Sequence, residues 1–130
     1  MMPPRIYSTG WHAIALAGGW LYAAAIVWLS LTPEPVPGPA FAFGDKLQHF
    51  LAYALLMFWF GWLYRSRPAR LGYAALWIAM GIGLEFAQGA TGYRSFELAD
   101  LAANALGVAA GALAALSLTR AATAAGTETR

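Results

Sequence analysis

The chain contains no cysteine, and this absence removes several classes of function at once. Without thiols there is no disulfide, no cysteine nucleophile and no thiolate ligand for a metal. Charge is also scarce, since only 11% of the residues are Asp, Glu, Lys or Arg and the formal net charge is +2. A positive charge this small predicts no nucleic-acid partner.

Apolar residues take the place of the missing charge. They make up 60% of the chain, and the mean hydropathy is +0.54, whereas soluble domains are about 45–50% apolar and about 25% charged. A soluble fold of 130 residues could not hide this much apolar surface, because small domains bury only about two-thirds of the surface that the unfolded chain exposes. The composition therefore predicts one membrane domain covering residues 1–130.

Four apolar stretches are long enough to cross a hydrocarbon core, which takes about 20 residues. They cover residues 11–31, 47–64, 71–90 and 98–119. Because lipid offers no hydrogen-bond partners, each stretch must satisfy its backbone groups internally as an α-helix. We predict an all-α polytopic membrane protein with four transmembrane helices in an antiparallel bundle. Arg5 leaves a cleavable signal peptide open as an alternative, although the first apolar run exceeds the usual length of about 7–15 residues.

Basic residues are unevenly divided between the two ends of the predicted helices. Lys and Arg are retained on the cytoplasmic side of membranes, and the loop after the second helix carries three arginines. The basic residues predicted to be cytoplasmic are Arg5, Arg65, Arg67, Arg70, Arg120 and Arg130. Those predicted to be outside are Lys46 and Arg94. This distribution predicts a multi-pass protein of the cytoplasmic membrane with both termini in the cytoplasm.

In that topology, most of the other polar side chains fall into one layer at the outer ends of the helices. The layer contains Asp45, Lys46, Gln48, His49, Glu85, Gln88, Arg94, Glu97, Asp100 and Asn104. A charged side chain at the centre of a transmembrane helix costs about 2.5–3.5 kcal/mol, and less toward the interface. Glu85 lies deepest, and we expect it to find a partner in His49, Lys46 or Arg94.

Helical spacing indicates which of these side chains share a face. Asp45, His49 and Tyr53 follow one another at intervals of four residues, so they form one stripe. One side of the last helix carries four further residues, Asp100, Asn104, Gly107 and Gly111. The Gly-x-x-x-Gly spacing lets a neighbouring helix approach closely, so this face is expected to point into the bundle.

Purely structural roles are open alternatives for several members of the layer. Asp45 would cap the second helix, with Gln48 closing a capping box. Lys46 would be an interfacial cation whose stem lies along apolar surface. Arg94 would be the counter-ion of a buried carboxylate, and Asn104 would hydrogen-bond between helices.

Four short motifs occur in order along the chain. They are "LSLTP" (29–33), "DKLQHFLAY" (45–53), "EFAQ" (85–88) and "RSFELADLAANALGVAAG" (94–111). Together they resemble the VanZ-like family of small bacterial membrane proteins. The family is named for a member associated with antibiotic resistance, specifically resistance to the glycopeptide teicoplanin. The functional residues that the resemblance implies are Asp45, Lys46, His49, Glu85, Gln88, Arg94, Asp100 and Asn104.

We interpret the layer as a site at the outer face of the membrane, where its ligands would be anionic envelope lipids or cell-wall precursors. A carboxylate beside an imidazole suits general acid–base catalysis, and the predicted catalytic residues are His49, Glu85 and Asp45. Cationic and amide side chains suit an anionic group, and the predicted binding residues are Lys46, Gln88, Arg94, Asp100 and Asn104. No metal or other cofactor is predicted. A metal site formed by His49, Glu85, Asp45 and Asp100 is an open alternative, although a single histidine in the layer and the lack of cysteine disfavour zinc.

Two other functions stay open at this point. The layer would be an interhelical clasp in a structural protein or a partner subunit, without any ligand beyond the lipid bilayer. Alternatively, the chain would be a subunit of a small transporter, although its polar residues stop in the outer half of the predicted bundle.

The predicted orientation can be tested with single cysteines, because the natural chain offers no background reaction. We expect Ser66→Cys to react with a membrane-impermeant maleimide only from the cytoplasmic side, since it lies in the arginine-rich loop. Ala42→Cys should react only from outside. Labelling of position 66 but not of position 42 in intact cells would reverse the orientation.

Overall fold

Helices form most of the part of the chain that the computed structural model describes, which is residues 9–34 and 36–128. The four helices are α1 (Thr9–Leu31), α2 (Gly44–Leu63), α3 (Arg67–Ala90) and α4 (Leu98–Glu128). The prediction of an all-α fold is confirmed. Arg5 and Arg130, which contributed to the predicted orientation, lie outside the described residues.

Three of the helices are long and apolar enough to cross a membrane, namely α1, α3 and α4 as far as Thr127. α2 does not join them, because its first two turns carry Asp45, Lys46, Gln48 and His49. The chain therefore has the helices of a membrane protein, whereas the predicted fourth span is not confirmed.

The start of α2 differs from the prediction. The helix begins at Gly44, three residues before the predicted start at Leu47. Phe43 precedes it in the left-handed region, with a φ of 66°, and provides no side-chain cap. Asp45 thus lies inside the first turn, and its interpretation as the N-cap is wrong. Its carboxylate still lies where the positive end of a helix dipole favours a negative charge.

The ends of the other helices also extend beyond the apolar runs. α3 begins at Arg67, and the Ser66 hydroxyl before it accepts a hydrogen bond from the Ala69 amide at 3.4 Å. α4 continues to Glu128, nine residues past the predicted end at Thr119. Its final turns are rich in alanine, the strongest helix former. Helix formation here follows backbone propensity rather than hydrophobicity.

α2 packs against each of the other three helices, and most closely against α4. A methyl group added at Gly107 would overlap the carbonyl oxygen of Phe50, and one at Gly111 would overlap that of Ala54. Because position 50 lies beside 107 and position 54 beside 111, the two helices run parallel and begin at the same end. The small-residue face of α4 at Gly107 and Gly111, called the seam below, is therefore the contact between α2 and α4.

An apolar core fills the bundle beneath that end. Its fully buried side chains include Leu56, Met57, Phe60, Trp77 and Val108. The ring centroids of Phe60 and Trp77 are 5.0 Å apart, with the planes inclined at 59°. Aromatic pairs at such distances add to the stabilisation from burial. This core separates the polar end of the bundle from the opposite end.

Two glycine-to-alanine variants test the seam against helix propensity. Gly111→Ala should lower the free energy of unfolding by about 1–3 kcal/mol, because a backbone carbonyl has to move to admit the methyl group. Gly83→Ala is the matched control, since no atom lies within 4 Å of its added methyl group, and it should be neutral or stabilising by up to about 1 kcal/mol. Thermal unfolding in detergent measures both. Equal effects at the two positions would contradict the close approach.

Candidate functional site

A cavity of about 530 Å³ opens at the end where α1 and α3 finish and where α2 and α4 start. Its polar wall includes Asp45, Gln48, His49, Gln88, Arg94, Glu97 and Asp100. Its apolar wall comes from Ile26 and Leu29 of α1 and from Val36 in the following loop. The polar layer recognised in the sequence therefore surrounds one space, with Lys46, Glu85 and Asn104 bonded to residues close to it.

Lys46 lies between carboxylates from three parts of the chain. Its Nζ is 2.7 Å from Asp45 Oδ2 and 2.5 Å from Asp100 Oδ1, and it also pairs with Glu97. Burial alone would lower the pKa of Lys46, but hydrogen bonds to these three carboxylates outweigh it and raise the pKa above the ordinary lysine value. The hydrogen bond from Lys46 in turn lowers the pKa of Asp45. Lys46 is thus an ion-pair centre and not a lone interfacial cation.

His49 is held between two residues of α4. Its Nδ1 is 3.0 Å from Asn104 Oδ1, and its Nε2 is 3.5 Å from Asp100 Oδ2. Gly81 of α3 allows the Asn104 amide to pack closely, since a methyl group there would lie 3.2 Å from Asn104 Nδ2. The parallel packing of α2 and α4 places all these groups at one level.

Glu85 is only 1% exposed and lies beside this histidine. One ligand atom each from His49, Glu85 and Asp100 fall within 4.8 Å of one another. Glu85 Oε2 accepts a hydrogen bond from the backbone amide of Glu97 at 3.1 Å. Of the three predicted partners, His49 lies near Glu85. The loop after α3 also folds back and places the backbone amide of Glu97 on Glu85.

Arg94 is not the counter-ion of Glu85, in contrast to one of the alternatives above. Within the described residues it forms no ion pair, and its side-chain Nη1 atom is buried without a hydrogen-bond partner. Its backbone amide donates to Thr91 Oγ1 at 3.3 Å, which fixes the turn that carries it. Arg94 also lines the cavity, so a guanidinium with an unpartnered donor lies at this site.

Tyr53 adds a second free donor, although the sequence analysis did not place it among the site residues. It is 2% exposed, lines the cavity, and its hydroxyl has no hydrogen-bond partner in the described part of the chain. The signal was its place in the stripe with Asp45 and His49. The end of α1, which the polar pattern did not include, also contributes to the cavity.

Gln88 and Tyr93 connect this region to α1. The Gln88 amide donates to the Ser30 carbonyl at 2.8 Å, and the Tyr93 hydroxyl donates to the Leu31 carbonyl at 2.7 Å. Both carbonyls belong to the last turn of α1, where helix carbonyls lack intrahelical partners. Gln88 therefore serves as an interhelical bond, although it also borders the cavity.

The predicted catalytic group is only partly assembled. His49 and Glu85 lie together, but the side chain of Asp45 is 60% exposed and pairs with Lys46. Asp100, which the sequence assigned to binding, lies beside His49 instead. The reason is the parallel start of α2 and α4, which brings the first turn of α4 next to the second turn of α2.

Comparisons with known proteins give one relative and no family. No model of a known protein family matches the chain, and no solved structure matches it. An uncharacterized protein from Schizosaccharomyces pombe is 36% identical over 84 residues, which is 62% of this chain and 49% of the relative. The chain thus spans about half the length of the curated relative that it matches.

Removal of the Lys46 charge should destabilise this end of the molecule. Lys46→Met keeps the length of the stem but leaves three carboxylates without their shared cation, so we expect a loss of about 2 kcal/mol in unfolding free energy at pH 7. The pKa of Asp45 is lowered in the folded state. The stabilisation that comes from the pair of Asp45 with Lys46 is therefore fully present above about pH 4, and it is lost as the pH falls through the pKa that Asp45 has in the folded protein.

Thermal unfolding of wild type and Lys46→Met between pH 3 and pH 8 measures this difference. The gap between the two proteins should narrow toward the acid end. Lys46→Arg is the matched control, because it keeps the charge. A gap that stays constant over the whole pH range would contradict the ion-pair assignment.

Proposed function

We propose that this chain is a membrane protein whose cavity binds the anionic headgroup of a lipid. The observation that carries the proposal is that one cavity has both unpartnered hydrogen-bond donors and an apolar wall among its lining residues. Arg94 Nη1 and the Tyr53 hydroxyl are buried without partners in the described chain, and both residues line the cavity. Ile26 and Leu29 border it from the other side. A buried donor without a partner costs about 1–3 kcal/mol, and an anionic oxygen would relieve that cost.

The proposal includes a fourth span and an orientation. α2 runs between membrane-spanning helices and packs against α1, α3 and α4, so it would cross the membrane with its polar first turns at the boundary. The arginine-rich loop containing Arg65 and Arg67 then lies in the cytoplasm with both termini. The cavity would open on the outer side, where its mouth meets lipid headgroups.

A lipid is favoured over a cell-wall precursor as the ligand. The relative comes from the fungus Schizosaccharomyces pombe, and phospholipids are present in the membranes of fungi and bacteria alike. Membership of the VanZ-like family, a bacterial source and a part in glycopeptide resistance stay hypotheses that rest on the motifs alone. We propose binding and assign no reaction, because the free polar atoms are donors suited to holding an anion.

The second candidate function is a structural one, in which the polar residues form an interhelical clasp. Specific hydrogen bonds and ion pairs favour it. Gln88 bonds to α1, Lys46 joins α2 to α4, and Asn104 bonds to His49. These residues hold the bundle end together whether or not a ligand is present. A transporter is less well supported, because the apolar core of Leu56, Phe60 and Trp77 fills the bundle beneath the cavity.

Native mass spectrometry of the purified protein tests headgroup binding. Wild type should retain phosphatidylglycerol in preference to phosphatidylcholine. Arg94→Ala should weaken that binding about tenfold or more, because a hydrogen bond to a charged group contributes about 1.5–3 kcal/mol. Arg120→Ala, at an exposed position of α4 beyond the apolar core, is the matched control and should bind as wild type does.

Thermal unfolding of the same variants separates the two candidates. If Arg94→Ala unfolds as wild type does but loses the lipid, the headgroup site is supported. If it binds phosphatidylglycerol as wild type does and is less stable, the residue belongs to a clasp and the proposal fails.

A further inference from the structure

Two groups of potential metal-ligating side chains meet at the cavity, and they differ in how their charge is balanced. The outer group is Asp45, Glu97 and Asp100, and the inner group is His49, Glu85 and Asp100. The ammonium of Lys46 already pairs with every member of the outer group. In the inner group, Lys46 pairs with Asp100 alone, and Glu85 is 1% exposed and forms no ion pair within the described residues.

The geometry of the inner group fits one small ion. Its three ligand atoms lie within 4.8 Å of one another. Two atoms that are each about 2.1 Å from one metal and subtend a tetrahedral angle are about 3.4 Å apart. His49 Nε2 and Asp100 Oδ2 are separated by 3.5 Å. The distance between these two atoms therefore suits direct coordination, and Glu85 offers a carboxylate oxygen within 4.8 Å of the other two residues' ligand atoms.

Asn104 orients the imidazole for this purpose. In the neutral imidazole, a proton on Nδ1 that is donated to Asn104 Oδ1 at 3.0 Å leaves Nε2 with a lone pair on the side of Asp100. A lone pair and two carboxylates would then face one another in a buried place, which is unfavourable without a positive charge between them. Such a hydrogen bond to the second nitrogen is the usual companion of a metal-bound histidine.

Tyr53 gives an independent indication of a ligand at the same place. Its hydroxyl is buried and lacks a partner in the described chain. Tyr53, His49 and Asp100 all line the cavity. The hydroxyl could donate to a water molecule or an anion bound to an ion at the inner group.

We propose that His49, Glu85 and Asp100 form a binding site for a divalent transition-metal cation, with Asn104 as the positioning residue. One imidazole and two carboxylates suit Mn²⁺ best, and Zn²⁺ less well because it usually takes more imidazole or thiolate ligands. Asp100 uses its two oxygens separately, since Oδ1 pairs with Lys46 and Oδ2 faces His49. Three protein ligands leave coordination positions open toward the cavity.

The metal site goes beyond lipid binding and does not depend on it. A divalent ion would offset the charges of Glu85 and Asp100 and leave the open positions for water or for an anionic oxygen. Together with Arg94, it would make the cavity more attractive to a phosphate-containing group.

The proposal can be tested by isothermal titration calorimetry, with Mn²⁺ and Zn²⁺ as separate probes. The protein is first treated with a chelator and kept free of lipid in non-ionic detergent. Wild type should bind one ion per chain, and its thermal midpoint should rise when the ion is added. Glu85→Gln should weaken binding by about tenfold or more, and Asn104→Ala by about tenfold. The glutamine oxygen can still accept the Glu97 amide, so this variant should remain folded.

His12→Gln, on α1 away from the cavity, is the control for chance binding to a histidine and should leave the affinity unchanged. Two results would overturn the proposal. One is wild-type protein that binds neither ion at millimolar concentration. The other is binding that survives Glu85→Gln and falls with Asp45→Asn, because that would place the ion on the outer group. Since no lipid is present, these results are independent of the Arg94→Ala test.

Discussion

The close approach of α2 and α4 is the constraint on which the polar end of the molecule depends. Gly107 and Gly111 bring the backbone of α4 against the carbonyl groups of α2. Because these helices run parallel, their first turns lie side by side, and Lys46 faces Asp100 while His49 faces Asn104. Larger side chains in the seam would separate the helices and, with them, each of these pairs. Packing deep in the bundle thus sets the electrostatics at its end.

Burial explains why the polar groups are so fully paired. In surroundings of low polarity, an unpaired charge costs several kcal/mol, and here most polar groups have found partners. Lys46 serves three carboxylates, and the backbone amide of Glu97 serves Glu85. Three buried donors of the described residues lack a partner, on Tyr53, Trp77 and Arg94. Trp77 lies in the apolar core, whereas Tyr53 and Arg94 line the cavity. Their position at one cavity distinguishes a binding site from a clasp more clearly than the number of polar residues does.

The two roles are compatible within one structure. Gln88 and Tyr93 hold the end of α1 in place, and that helix end supplies the apolar side of the cavity through Ile26 and Leu29. The bonds that would serve a clasp therefore also build the walls of the proposed site. A lipid ligand needs such a mixed surface, because its charged headgroup and its acyl chains differ in polarity.

The sequence by itself determined that the described chain is helical and that the polar residues that are costly to bury in lipid share one layer. Long apolar runs and the cost of charge in lipid were sufficient for both conclusions. It could not determine the pairing, because helical spacing reveals which residues share a face but not which faces meet. Only the tertiary structure decided that Asp100 rather than Asp45 lies beside His49, that Glu85 bonds to a loop amide, and that α1 completes the cavity. These contacts join residues far apart in sequence, and they arise from the order in which whole helices pack.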